Sequence, residues 1–168
     1  MVEQTAPSLL SEGARRISLL LAHHGTEGAR RVEPIAFQLA QQWQAEIVHL
    51  LVVPEFWQDM MGDDWLNNAS TRQLFGSYLE NLLSREALEQ VRSLEARCQA
   101  LHLEYDARIR FGDPTTCLLE YAKIVQPAMV VMGSPRPKGV PGLRSRMRIL
   151  DLMRGLTVPL LIVPWIHE

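Results

Sequence analysis

Between residues 135 and 154 the chain carries Arg136, Lys138, Arg144, Arg146, Arg148 and Arg154 against the single acid Asp151. This basic stretch follows an apolar run that ends Met132-Gly133-Ser134. A glycine-containing loop at the carboxyl end of a buried strand, leading into a helix, is the layout of an anion site. Backbone N–H groups and the positive end of the helix can both face a phosphate there. The composition alters the simplest version of such a cradle. Pro135, Pro137 and Pro141 remove backbone donors, and Arg136 brings a Cβ to a place where glycine would let the backbone close on the ligand. Gly133, Ser134, Arg136, Lys138, Arg144 and Arg146 are the candidate anion-binding residues. Cations in the first turn of a helix oppose its dipole and are best tolerated when an anion or acidic partner neutralises them.

The other reactive side chains have plainer readings. His23 and His24 are adjacent on a strand and point to opposite faces, so they form no same-face metal pair. His49 on the second strand is the one nearby-strand partner they have, and no metal is expected. Cys117 falls in the first turn of a helix and reads as a small buried residue. Cys98 and Cys117 are too few and too far apart for a disulfide framework. Ser134 has no recognisable base, and Asp113 is explained as a helix cap. No catalytic residue is assigned.

These residues must be positioned by alternating strands and helices. Strands are expected at Ile17–His23, Ile47–Val53, Tyr105–Phe111, Ala128–Met132 and Val158–Val163. Val32, Ile35, Ala36, Leu39, Ala40 and Trp43 recur at helical spacing, with Pro34 placing the helix start near Glu33. A helix from Ser84 shows the stripe Ala87, Leu88, Val91, Leu94, Cys98 and Leu101. Asp113-Pro114 predicts a capped helix to about Val125, and Leu143–Leu156 is expected to be helical. The pattern is an α/β fold with a five-stranded parallel open sheet covered on both faces. Ligands in such folds lie beyond the carboxyl ends of the strands, at the switch point of strand order.

The chain has 168 residues, 47% hydrophobic and 21% charged, enough for one domain with a single core. Residues 1–16 read as a polar segment and 17–168 as the domain, with a long connection over 54–83. Within it, the stretch from Phe56 to Tyr78 is too aromatic for a free linker and is expected to fold over the domain as a lid or a surface for a protein partner. The net charge of −2 gives no general attraction to nucleic acid or anionic membranes. With no signal-like segment and two cysteines, a cytoplasmic location is expected.

Several of these pieces resemble universal stress proteins. Their first strand ends Asp-Gly-Ser-Glu, where this chain has His24-Gly25-Thr26-Glu27. Gly112-Asp113-Pro114 is similar to that family's exit from strand three, and Met129–Ser134 with Val158–Val163 to its fourth and fifth strands. The resemblance implies strand order 3-2-1-4-5 and a Rossmann-like sheet related to adenine nucleotide hydrolases. Alternation alone leaves 2-1-3-4-5 open as well, although the acids and lysine that phosphoreceiver domains need are missing at two of their three places. ATP-binding members carry Gly-x2-Gly-x9-Gly-Ser/Thr after strand four. Here Gly133 matches the first position, whereas Arg136, Arg146 and Met147 replace the next three. His24 replaces the acid after strand one, and Val52 keeps the apolar residue beside the adenine.

The resemblance therefore implies a non-catalytic stress-adaptation protein without ordinary ATP binding and with no cofactor expected. A second reading is a nucleotide- or phosphate-binding switch, with slow ATP hydrolysis, in which arginines and lysine replace the glycine cradle. A homodimer is expected through Val158, Leu160, Leu161, Ile162 and Val163, because an apolar edge strand is an aggregation hazard until it is paired.

Overall fold

The computed structural model describes residues 16–23, 27–53, 69–140 and 146–165. His24, Arg144 and residues 54–68, which hold Trp57, Asp63, Asp64 and Trp65, lie outside the described residues. The strands are β1 Ser18–Ala22, β2 Glu46–Val53, β3 Tyr105–Phe111, β4 Met129–Gly133 and β5 Leu160–Val163. The helices are α1 Glu27–Arg30, α2 Glu33–Trp43, α3 Ala69–Ala100, α4 Pro114–Val125 and α5 Ile149–Gly155. All strand pairings are parallel and the order is β3-β2-β1-β4-β5, as the family resemblance implied.

Local chemistry accounts for most boundaries. Pro34 occupies the second helical position of α2, where no intrahelical donor is lost. Asp113 caps α4 by accepting from the Thr116 backbone N–H at 2.9 Å and from its hydroxyl at 2.8 Å, with Pro114 at the first helical position. β5 begins only at Leu160. Pro159 has no N–H for the ladder and contributes its carbonyl alone, accepting from Val130 N–H at 2.9 Å.

Two expected helices differ from what the structure shows. α3 starts at Ala69 and not near Ser84, so the second half of the expected 54–83 connection is helical. The apolar stripe marks only the carboxyl-terminal half of this helix, where Leu94 and Cys98 pack into the core. α5 starts at Ile149 and not at Leu143. Arg148 is extended at φ −90° and ψ 94°, and its N–H donates to Thr115 Oγ1 at 2.8 Å, fastening this segment to the start of α4 before the helix begins.

Each face of the sheet has its own core. Leu19, Leu21, Ile47 and Val131 meet α2 and α3 through Val32, Ala36, Phe37, Leu94 and Cys98. Leu20, Val48, Leu50, Val130 and Met132 meet α4 and α5 through Leu118, Tyr121, Ala122 and Leu152. Burial on both sides is what a parallel sheet requires, and it makes the middle strands continuously apolar. Cys117 is buried, its thiol 3.7 Å from the Phe111 carbonyl. Burial also pushes the Cys98 thiol up to about 11.

Candidate functional site

β1 and β4 lie side by side at the centre of the sheet, and the chain departs to β2 on one side and β5 on the other. Their carboxyl ends, at His23 and at Gly133-Ser134, mark the switch point. Packing there is tight. A Cβ on Gly133 would come within 2.6 Å of the Gly28 carbonyl oxygen, and a Cβ on Gly28 within 2.8 Å of the Trp165 ring. Gly133 thus lets α1 approach the end of β4, and Gly28 lets the indole seat against α1.

The loop after β4 is organised by protein contacts. Ser134 N–H donates to the Val163 carbonyl at 2.8 Å and extends the β4–β5 ladder. Val140 N–H closes a turn onto the Pro137 carbonyl at 3.4 Å, with Gly139 at φ +88°. That left-handed position suits glycine. Lys138 stands exposed at the tip of this turn. Arg136 is half-buried, its guanidinium 5.7 Å from the Trp165 ring centroid, and Arg31 approaches the same ring at 5.0 Å.

The expected basic cluster is therefore divided. Arg136 joins Trp165, Lys138 points to solvent and Arg146 is exposed. Arg148 pairs with Asp113 at 3.2 Å and with Asp151 at 2.7 Å. Acidic partners of the same fold thus neutralise the cation at the start of α5. Val52 is half-buried on the α4 and α5 side, opposite Arg110 of β3. Val158, Leu160, Leu161, Ile162 and Val163 lie on or beside the outer strand β5, whose one partner within the sheet is β4.

The opposite face holds a polar chain. The Tyr105 hydroxyl is 2.7 Å from His49 Nδ1, and His49 Nε2 is 2.9 Å from the His23 carbonyl oxygen. A carbonyl only accepts, so His49 carries its proton on Nε2 and accepts a hydrogen bond from the Tyr105 hydroxyl at Nδ1. The Val91 carbonyl, 3.3 Å from that hydroxyl, is the weaker acceptor. The two imidazoles meet edge to face with centroids 5.5 Å apart. His23 Nε2 lies 2.8 Å from Glu33 Oε1, an electrostatic contact without hydrogen-bond alignment. The other Glu33 oxygen pairs with Arg97, which also stacks on Phe37 at 5.3 Å.

Burial keeps both imidazoles neutral. It lowers His49 to about 4, and it lowers His23 to about 4 with the added repulsion of Arg30 and Arg97. Burial likewise raises the Tyr105 hydroxyl above its ordinary range. Beside this chain a cleft of about 430 Å³ opens between α2 and α3, lined by Arg30, Glu33, Glu86 and Glu89 among others. Among the described residues no group of three or more His, Cys, Asp or Glu side chains is placed to hold a metal ion. No helix among them is long and apolar enough to cross a membrane.

Sequence reasoning named His49 as the nearby-strand partner of His23 and His24 without choosing between them, and missed Glu33, Arg97 and Tyr105 beside it, and Arg31 and Trp165 beside Arg136. One signal was present. Glu33 interrupts the apolar series Val32, Ala36 and Ala40 at a position that the helix buries.

No curated protein sequence matches the chain significantly. Solved structures do match its fold. The hypothetical protein MJ0577 is 16% identical with a TM-score of 0.73, over 92% of this chain and 100% of that one. A universal stress family protein from Burkholderia pseudomallei is 20% identical with a TM-score of 0.66, over 91% and 99%. The universal stress protein from Archaeoglobus fulgidus in complex with dAMP is 14% identical with a TM-score of 0.58, over 89% and 98%. The universal stress protein family itself matches residues 18–164, from the first strand to just past the last, and the chain belongs to that family.

Proposed function

We propose that this protein is a non-catalytic, homodimeric member of its family that works in cytoplasmic stress adaptation through protein contacts, without the glycine-cradle binding of ATP. The observation that carries this reading is the fate of the donors after β4. Ser134 N–H is bonded to Val163, Pro135 and Pro137 have none, and Arg136 is drawn to Trp165. A hydrogen bond to a charged group contributes about 1.5–3 kcal/mol, so losing two or three weakens binding by about 10² to 10⁶-fold. Titration calorimetry with Mg-ATP is expected to give no saturable heat at sub-millimolar concentrations. A micromolar Kd would reject this reading in favour of the second, a nucleotide- or phosphate-binding switch, which the dAMP complex of the Archaeoglobus fulgidus protein favours.

The dimer rests on the contrast between the sheet's two edges. β3 carries Asp106, Arg108 and Arg110, charges that discourage edge pairing, whereas β5 reads Leu-Leu-Ile-Val. In this reading β5 pairs with its copy across a two-fold axis, with Pro159 and Pro164 at its ends where no ladder donor is needed. Light scattering at micromolar concentration should report a dimer, and a monodisperse monomer would reject this part. A partner surface within 56–78 belongs to the same reading and lies largely outside the described residues.

A further inference from the structure

We propose that Leu150 and Met153 of α5 are the apolar surface that holds a second copy of this chain beside β5, with α5 of one protomer against α5 of the other across the two-fold axis. The inference rests on the homodimer of the reading above and names the contact that completes it. Edge pairing of β5 supplies little apolar area by itself. The strand has four residues, whereas a stable interface takes roughly 20–30 residues from each partner. Its side chains are also committed to their own protomer. Leu161 and Val163 pack against the core under α2 and α3, and Leu160 and Ile162 against the core under α4 and α5. The ladder can fix direction and register, but the area that holds the copy must come from beside the strand.

α5 offers that area on one flank. Leu152 is its fully buried residue. At about 100° per residue, Gly155 and Arg148 lie to one side of Leu152, and Met153 and Leu150 to the other. The first side belongs to α4. A Cβ on Gly155 would come within 2.8 Å of Leu119, and Arg148 reaches Thr115 and Asp113. Because α4 packs on β1 and β2, the flank of α5 turned away from it faces outward past β5. That flank carries Leu150, 66% exposed, and Met153, 64% exposed, one turn apart. Edge strands that pair antiparallel about a two-fold axis form one continuous sheet when the axis stands normal to it, and such an axis keeps the same face of both protomers on the same side. The two α5 helices then flank the axis with these outward sides towards each other. Covering Leu150 and Met153 removes apolar surface from water, and each residue counts twice in an isologous contact.

Sedimentation velocity of the full chain over a dilution series gives the dimer dissociation constant and tests the contact. Leu150→Arg combined with Met153→Arg should weaken the dimer by about a hundredfold or more, and Leu150→Ala combined with Met153→Ala by about tenfold. Both side chains are exposed within one protomer, so circular dichroism of each variant should match the parent. Ile124→Arg is the control. Ile124 is 67% exposed on α4, and this variant should keep the parent's dissociation constant. A double arginine variant that dimerises like the parent overturns the inference and leaves strand pairing through β5 in place. An equal loss in Ile124→Arg overturns it too, because the effect would then belong to added charge and not to this flank. A parent that sediments as a monomer at micromolar concentration rejects the dimer itself, and the inference with it. An assembly larger than a dimer that the double variant returns to a dimer would assign this flank to contacts between dimers and overturn the proposal.

Discussion

The two faces of the sheet are built on different principles. Against α4 and α5 the strands present Leu20, Val48, Leu50, Val130 and Met132, and the helices answer with Leu118, Tyr121, Ala122 and Leu152. Against α2 and α3 the same strands present Leu19, Leu21, Ile47 and Val131, but also a polar chain that runs from half-buried Tyr105 through buried His49, His23 and Glu33 to the half-exposed Arg97. On the first face stability is spread over many interchangeable contacts. On the second a few polar contacts each matter, because a buried polar group that loses its partner keeps its desolvation cost.

The largest expected effects compare one residue from each face. Leu118→Ala should cost about 2–5 kcal/mol through lost burial and the cavity left behind. Glu33→Ala should cost about 1–3 kcal/mol, by removing the carboxylate that faces buried His23 and pairs with the half-exposed Arg97. Chemical denaturation measures both. If the faces differ as described, Leu118→Met should recover most of the first loss, whereas Glu33→Met should recover little of the second, because methionine offers His23 and Arg97 no carboxylate.

The next effect is pH dependence, and it should arise on one face alone. Both histidines have folded values near 4 against 6.5 in the unfolded chain. Between these values the unfolded state binds more protons, so stability rises with pH and is lost as pH falls from about 6.5 to about 4. Linkage puts the loss at about 2 kcal/mol per histidine between pH 7 and pH 5. Urea midpoints at the two pH values check it. His49→Gln should flatten the dependence, and an unchanged slope would show that the imidazoles are not buried neutral.

Smaller losses are expected at the margins. Asp113→Ala removes the cap of α4 and one partner of Arg148, and should cost about 1 kcal/mol. Its thermal midpoint should show the same loss at pH 7 and pH 6, unlike a change in the histidine chain. Arg108→Ala on the β3 edge breaks an exposed pair with Asp106 and should stay within about 0.5 kcal/mol.

Much of the fold was legible because its signals are local. Asp113-Pro114 announces α4, and the apolar runs of β1, β2 and β4 announce strands buried on both faces. Element ends were less legible. The first turn of α3 carries no acid to mark its start, and the start of α5 is set by Arg148 reaching Thr115 on another helix. The candidate site was legible as a composition of cations and not as an arrangement. Arg136 and Arg148 look equivalent along the chain, yet one faces Trp165 and the other is paired with two acids.

By itself the sequence determined the class of fold, the two-sided core, the altered glycine loop and the family resemblance, because each follows from residue types at short spacing. Only the tertiary structure decided which charge meets which partner. Arg97 reaches Glu33, Arg148 reaches Asp113, and Arg31 and Arg136 reach Trp165. Every arginine in a sequence has many acids and aromatic rings to choose from. The choice is made when strand order and glycine-sized approaches bring distant segments together, since attraction between side chains acts over a few ångströms of space, whatever their separation along the chain.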